Sequence, residues 1–356
     1  MSGDIDDLGD GLSDAVDEAL VRLHAWGPEW HGRLSNHAPM VVEAMVRHGR
    51  ADSVERWVDR YQSVLEPPPP VVGRIPPDDW GSALGDPSRL TDWVGFFEDQ
   101  LAEHPWQDVL VRWWPHMLPG LAASATHSVI RLGHAVRTLR DRGESAPAIA
   151  ELSQSLGYWA GRWLPVSGNV SGQGDLDIAG SLAQLPALGV SGAFPDLLDA
   201  LGTDGRWPGC AGVRLTTDPQ EVSGQLKALV TAATLHYRSH GHGDPIMLVH
   251  AATSANAVLR VLPSLPPDLW VGSLHAAWEA SAAITMMYNP GGATTSPPAA
   301  VVQPMDADTV FDRAVEHGDE HVIKLADTAI DVHEWSPASG ALDAAFASTV
   351  LIEPQD

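Results

Sequence analysis

Apolar residues recur at helical spacing through most of the chain, and the alternating pattern of a half-buried strand is scarce. The periodicity predicts helices over residues 12–25, 39–48, 52–65, 91–103, 107–141, 146–164, 220–239, 246–262, 270–288, 306–317 and 320–334. A chain of 356 residues with this pattern is expected to be all-α, a single large multi-helix domain over 1–356 with Gly/Pro-rich loops. It can bury a core large enough to enclose a site. Three punctuated segments read as loops or lids: 67–70, the Gly-rich stretch 165–212, and 289–304. No internal repeat of fixed period stands out.

Acidic residues outnumber basic ones 46 to 21, for a net charge of -25. That balance argues against nucleic acid or an anionic membrane surface as the main partner and leaves a small molecule. The N-terminal stretch is acidic where a signal peptide would be basic, and no run approaches the roughly 18 apolar residues of a membrane span. The single cysteine, Cys210, cannot form an internal disulfide, so a reducing compartment and a cytoplasmic location are expected. Tryptophan is the favoured aromatic, with 14 Trp against 5 Phe and 4 Tyr. Indole offers broad flat surface and one donor, which suits a pocket for a flat ring, although core packing is the commoner use of any one Trp.

Sixteen histidines invite the question of which lie among apolar neighbours. Neutral imidazole is a good ligand for borderline metals, and burial keeps it neutral. His37 precedes a helix that Pro39 opens and Gly49 closes; its bland role is a hydrogen-bonding residue at the helix start. His127, Arg131 and His134 fall at i, i+4 and i+7 on one helical face. That stripe is either a solvated face or one metal ligand with Arg131 and His134 lining a pocket. His250 sits between Ile246-Met247-Leu248-Val249 and Ala251-Ala252, flanks that bury an imidazole as a satisfied core residue or as a ligand. His236, His240 and His242 have ligand-like spacing, but they fall at a predicted helix end, where cationic side chains are favoured anyway.

His317-Gly318-Asp319-Glu320-His321 matches H-x-x-E-H, an inverted zinc-protease motif that requires one continuous helix. Gly318 argues against that: it reads as the end of one helix, with Asp319 as the N-cap of the next. On the second helix His321, Lys324 and Thr328 form one stripe. Lys324 is one of only two lysines, the other being Lys227. Its bland role is an i, i+3 ion pair with Asp327; the alternative is a buried neutral amine beside a metal, able to capture carbon dioxide as a carbamate. No G-x-S-x-G elbow, Gly-rich nucleotide loop in strand context, or C-x-x-C pair is present.

In order along the chain, Asn36-His37-Ala38-Pro39-Met40-Val41-Val42-Glu43-Ala44, Asp92-Trp93 with Phe96, Pro105-Trp106, Leu118-Pro119-Gly120, Thr126-His127 through His134-Ala135-Val136-Arg137, His250-Ala251 with Thr253, and His321-Val322-Ile323-Lys324-Leu325 resemble the questin oxidase-like family, in a form closer to its bacterial than its fungal members. The resemblance implies a helical oxygenase that cleaves a polyketide-derived aromatic quinone, by a Baeyer–Villiger-like or direct carbon–carbon cleavage. It implies non-haem Fe(II) held by His37, His127, His250 and His321 with Lys324, carbamylated or not, and O2 as co-substrate. Arg131 and His134 would then stabilise charge or transfer a proton. Arg131 stands where fungal members often carry a second histidine, and Ser128 replaces a common glycine, so the pocket is expected to differ in shape. NADPH as a reductant and a homodimer are left open. The competing classes are a zinc-type hydrolase on the same ligands and a noncatalytic helical protein of a biosynthetic cluster.

Overall fold

The helix starts carry the caps that the sequence supplies. Ser145, Asp177, Asp218, Asp306 and Asp319 each accept backbone N–H groups of the turn that follows, satisfying donors no carbonyl can reach. The structure, a computed structural model, describes residues 15–166, 172–207, 212–292 and 305–354; Cys210, the first fourteen residues and most of the 289–304 loop lie outside the described residues. The helices are α1 (15–23), α2 (Ala38–Arg47), α3 (Val54–Tyr61), α4 (Leu90–Glu103), α5 (Trp106–Met117), α6 (His127–Arg142), α7 (Ala146–Gly161), α8 (Ile178–Ala183), α9 (Phe194–Thr203), α10 (Pro219–His240), α11 (Val249–Val261), α12 (Trp270–Tyr288), α13 (Ala307–His317), α14 (Glu320–Trp335) and α15 (Ala341–Leu351). β-structure among the described residues is limited to the antiparallel pair β1 (Glu29–Trp30) and β2 (Leu34–Ser35) and three isolated bridges. The protein is all-α. No helix among the described residues is long and apolar enough to cross a membrane.

Two expectations need correction. The span predicted as one helix over 107–141 is two, α5 and α6, because Leu118–Gly120 tightens into a 3-10 turn and Ser124, Ala125 and Thr126 all take positive φ. Helices α8, α9 and α15 were not predicted. The first two lie within the Gly-rich stretch, and α15 mixes four Ala with Leu, Phe, Ser, Thr and Val, with Leu342, Ala344, Ala345 and Ala347 buried.

Four helices set the geometry of the site. α2 packs on α6, α6 on α11, α11 on α14, and α14 back on α2, closing a ring. The closest approach is at Gly133 of α6, where a Cβ would lie 2.7 Å from Ala257 Cβ of α11. A larger residue there would force these helices apart. One continuous apolar core surrounds the ring and reaches from Val16 to Ile352. Most of the aromatic residues serve that core: Trp93, Phe96, Phe97 and Trp113 pack edge-to-face or stacked on one another, and Trp114 packs against Trp159. The Asp92-Trp93 motif is structural too. The Asp92 carboxylate accepts from Val72 N and Gly73 N at 3.0 and 3.1 Å, fastening the proline-rich loop, and Trp93 Nε1 donates to Ala83 O.

Candidate metal centre

Each helix of the ring begins with one of the four singled-out histidines. His37 is the N-cap of α2, His127 is the first residue of α6, and His250 and His321 are the second residues of α11 and α14. The structure brings them together. Ring centroids lie 4.6 Å apart for His37 and His127, 4.8 Å for His37 and His321, 4.3 Å for His127 and His250, and 5.3 Å for His250 and His321. One ligand-capable atom from each of His37, His127 and His321 falls within 4.8 Å of the other two. His127 Nε2 and His250 Nε2 are 3.0 Å apart. Two ligands set at right angles on an ion about 2.1 Å away would be separated by about that much.

The outer contacts fix the ring tautomers. His127 Nδ1 lies 2.6 Å from Ser124 O, a carbonyl that can only accept, so Nδ1 donates and Nε2 keeps its lone pair. The strained turn serves this contact: Ser124, Ala125 and Thr126 have φ of 48, 52 and 71°, values that cost non-glycine residues of order 1–3 kcal/mol each. His37 Nδ1 lies 3.0 Å from Glu320 Oε1 and 3.1 Å from the Tyr61 hydroxyl. The carboxylate must accept, so Nδ1 again donates and Nε2 faces inward, buried and without a partner. Tyr61 Oη in turn accepts from His37 N. Trp57 stacks on Tyr61 at 4.8 Å and donates from Nε1 to Gly318 O, so this tryptophan braces the site. Imidazoles oriented through their outer nitrogens by carboxylates and carbonyls are the usual second sphere of metal-binding histidines.

All five side chains are buried: His250 is 0% and His127 8% exposed, and Lys324 is 1%. Burial, then the Lys324 charge, holds His37 and His127 well below the usual histidine range; burial and then His127 do the same for His250. The rings of His37, His127 and His250 are therefore neutral and ready to ligate at neutral pH. Burial also pulls the Lys324 amine down to about 8, against Glu320 and Asp319, which pull it up. Lys324 Nζ has no hydrogen-bond partner. The ion pair with Asp327 is not made; Asp327 is instead held by Arg47, His48, Arg137 and Arg260. A buried set of lone pairs and an unpartnered amine fits a divalent borderline metal.

The α6 stripe is buried rather than solvated. Arg131 spans to Glu151, with Nε and Nη2 at 2.6 and 2.8 Å from its two oxygens, and keeps a buried Nη1 without a partner. His134 Nδ1 lies 2.7 Å from Glu43 Oε2, and burial lowers it to about 4 although Glu43 pulls the other way. The H-x-x-E-H match falls on two helices, as Gly318 at φ +85° closes α13 and Asp319 caps α14; His317 Nε2 instead donates to Ile352 O at 3.1 Å. His236 and His240 stack on each other at 3.9 Å near the end of α10. Sequence reading missed Ser124, Tyr61 and Glu320. Only Glu320, adjacent to His321, had a sequence signal that could have flagged it.

The fold and this cluster define an all-helical protein with a buried histidine–lysine centre at four helix starts. Residues 34–153, about a third of the chain, match a family described as Questin oxidase-like, which supports the resemblance read from the sequence. The matched segment contains His37 and His127, whereas His250, His321 and Lys324 come from beyond it. No curated protein matches the chain.

Proposed function

We propose that this protein is a non-haem iron oxygenase that opens a ring of a hydroxylated, polyketide-derived aromatic quinone, by Baeyer–Villiger-like or direct carbon–carbon cleavage. The family match supports an oxidoreductase of the questin oxidase kind. The observation that carries the iron is the convergence of four buried imidazoles with an unpartnered buried lysine. His37, His127, His250 and His321 would hold Fe(II), which supplies the one-electron chemistry that lets dioxygen react with a closed-shell organic molecule.

The chain's own groups do the rest. An ammonium buried without a partner is costly, and burial already drives Lys324 toward the free amine. The amine nitrogen can attack carbon dioxide: an N–C bond forms, an electron pair moves to oxygen, and a proton leaves. The product is an anionic carbamate that ligates through oxygen. Four helix N-termini meet here, so their partial positive ends favour an anion, which suits both the carbamate and an ionised substrate phenol. Glu320 and Ser124 hold the imidazole tautomers. Arg131, one turn from His127, keeps the free Nη1 donor available to a developing oxyanion, while His134 is engaged with Glu43. Burial of the cluster excludes water, which protects the reaction from hydrolytic side paths.

Oxygen-18 labelling tests the reaction class. Label from dioxygen in the cleaved product of a hydroxylated anthraquinone, with iron required and zinc inactive, is the expected result. Label entering only from water, with carbonyl exchange controlled, would instead make the protein a zinc-type hydrolase.

A further inference from the structure

Two to three turns beyond the histidines, the same four helices carry a second buried polar layer. α2 contributes Glu43 and Arg47, α6 His134 and Arg137, α11 Asn256 and Arg260, and α14 Asp327 and Asp331. On every helix these stand six or seven and ten residues after the histidine, about 9–15 Å along the axis at 1.5 Å per residue. Because both layers are shared, all four helices run in the same direction from the histidines to the ion pairs.

One side chain joins the layer. Asp327 Oδ1 takes Arg47 Nη1 of α2 at 2.7 Å, and Oδ2 takes Arg137 Nη2 of α6 at 2.9 Å and Arg260 Nη2 of α11 at 2.6 Å. Asp331 repeats these links more loosely, to Arg47 at 2.6 Å, Arg260 at 2.7 Å and Arg137 at 3.9 Å, and accepts from Asn256 at 2.8 Å. A single carboxylate on α14 therefore ties down the three other helices that carry histidines. Apolar replacements of buried ion pairs are often as stable; what a directional network adds to the close packing of the helices is a specified register. Helices are stiff over this length, so register set at Asp327 is passed to the imidazoles.

We propose that Asp327 is a positioning residue for the histidine–lysine centre, setting the mutual register of the four helices whose first turns present the ligands. This rests on the metal-binding reading above, and wild-type binding tests that reading separately. The probe is Co(II) alone, titrated anaerobically into metal-free protein, with affinity from calorimetry, ligand environment from the visible spectrum, and fold from circular dichroism. Asp327→Asn, folded, is expected to weaken Co(II) by about threefold to thirtyfold, the range of couplings passed through packed networks, and to change its spectrum. Asp92→Asn is the control for lost stability alone: it removes another buried carboxylate, paired with Arg89 and touching none of the four helices, and should lower the melting temperature while leaving cobalt affinity and spectrum unchanged. If Asp327→Asn fails to fold, the double variant Arg47→Met with His48→Leu decides, since Arg47 and His48 together tie the end of α2 to Asp327 and both sit at a partly exposed edge. Wild-type affinity and spectrum in a folded Asp327→Asn, or in the double variant in its place, would overturn the proposal. Wild-type protein that takes up no cobalt would overturn the metal reading and this role with it.

Discussion

The histidine layer and the ion-pair layer share four helices and a comparable degree of burial, yet their polar atoms are treated in opposite ways. Among the ion pairs, each carboxylate oxygen of Glu43, Asp327 and Asp331 accepts at least one partner. In the histidine layer His37 Nε2 and Lys324 Nζ are left with none. A buried polar group without a partner costs about 1–3 kcal/mol, and a bound ion is one way such atoms are completed. The scaffold layer pairs its carboxylates throughout and leaves only Arg260 Nε without a partner, whereas the site leaves several ligand-type nitrogens open beside one another.

The sharpest break of this contrast comes from truncating one residue in each layer. Asp327→Ala leaves Arg47, Arg137 and Arg260 short of a counter-charge, and should lower the unfolding free energy by about 3–5 kcal/mol in urea denaturation. An unchanged urea midpoint would mean that the network contributes nothing. Lys324→Met should move the other way, because it removes a partnerless buried amine and keeps the volume: metal-free protein gains about 1–3 kcal/mol while metal binding falls. Loss of stability in that variant would show that Lys324 has a partner in the metal-free state.

A pH series sharpens the comparison with smaller effects. Lys324 has a folded value near 8 against 10.5 unfolded. A depressed value means that the folded state releases its proton first, so metal-free stability should rise as pH increases from about 8 to 10.5. The rise should vanish in Lys324→Met. At acid pH, His134 falls from 6.5 to about 4 on folding, and His37, His127 and His250 shift in the same direction. Their contribution is complete above 6.5 and is lost as pH falls through the folded values; for His134 alone it is on the order of 3 kcal/mol. Urea midpoints measured at pH 7.5 and 5 should therefore differ, with the lower one at pH 5. Equal midpoints would contradict neutral buried imidazoles.

How far the sequence revealed these layers follows from what each residue type signals. Helical periodicity located most helices within a few residues, since their apolar faces point at one core. It ran α5 and α6 together although Pro119-Gly120 is a turn signal that ends α5; the left-handed turn beyond it, at Ser124, Ala125 and Thr126, carries no such mark. α15 escaped because its apolar residues, Ala341, Leu342, Ala344, Ala345, Phe346, Ala347, Val350 and Leu351, are spread around the helix, leaving little amphipathic contrast. The histidines stood out by their apolar flanks. The ion layer did not, because a charge on a helix is ordinarily solvated, and the α6 stripe could be read that way. The recurrence of polar residues six or seven and ten positions after each of the four histidines was nevertheless present in the sequence, and it needs no structure to be counted.

X-ray absorption at the metal edge of anaerobically purified protein tests the central claim most directly. One iron per chain, with imidazole scattering at about 2.0–2.2 Å whose amplitude falls in His250→Ala, is the expected result. Stoichiometric zinc, or iron without imidazole scattering, would contradict it.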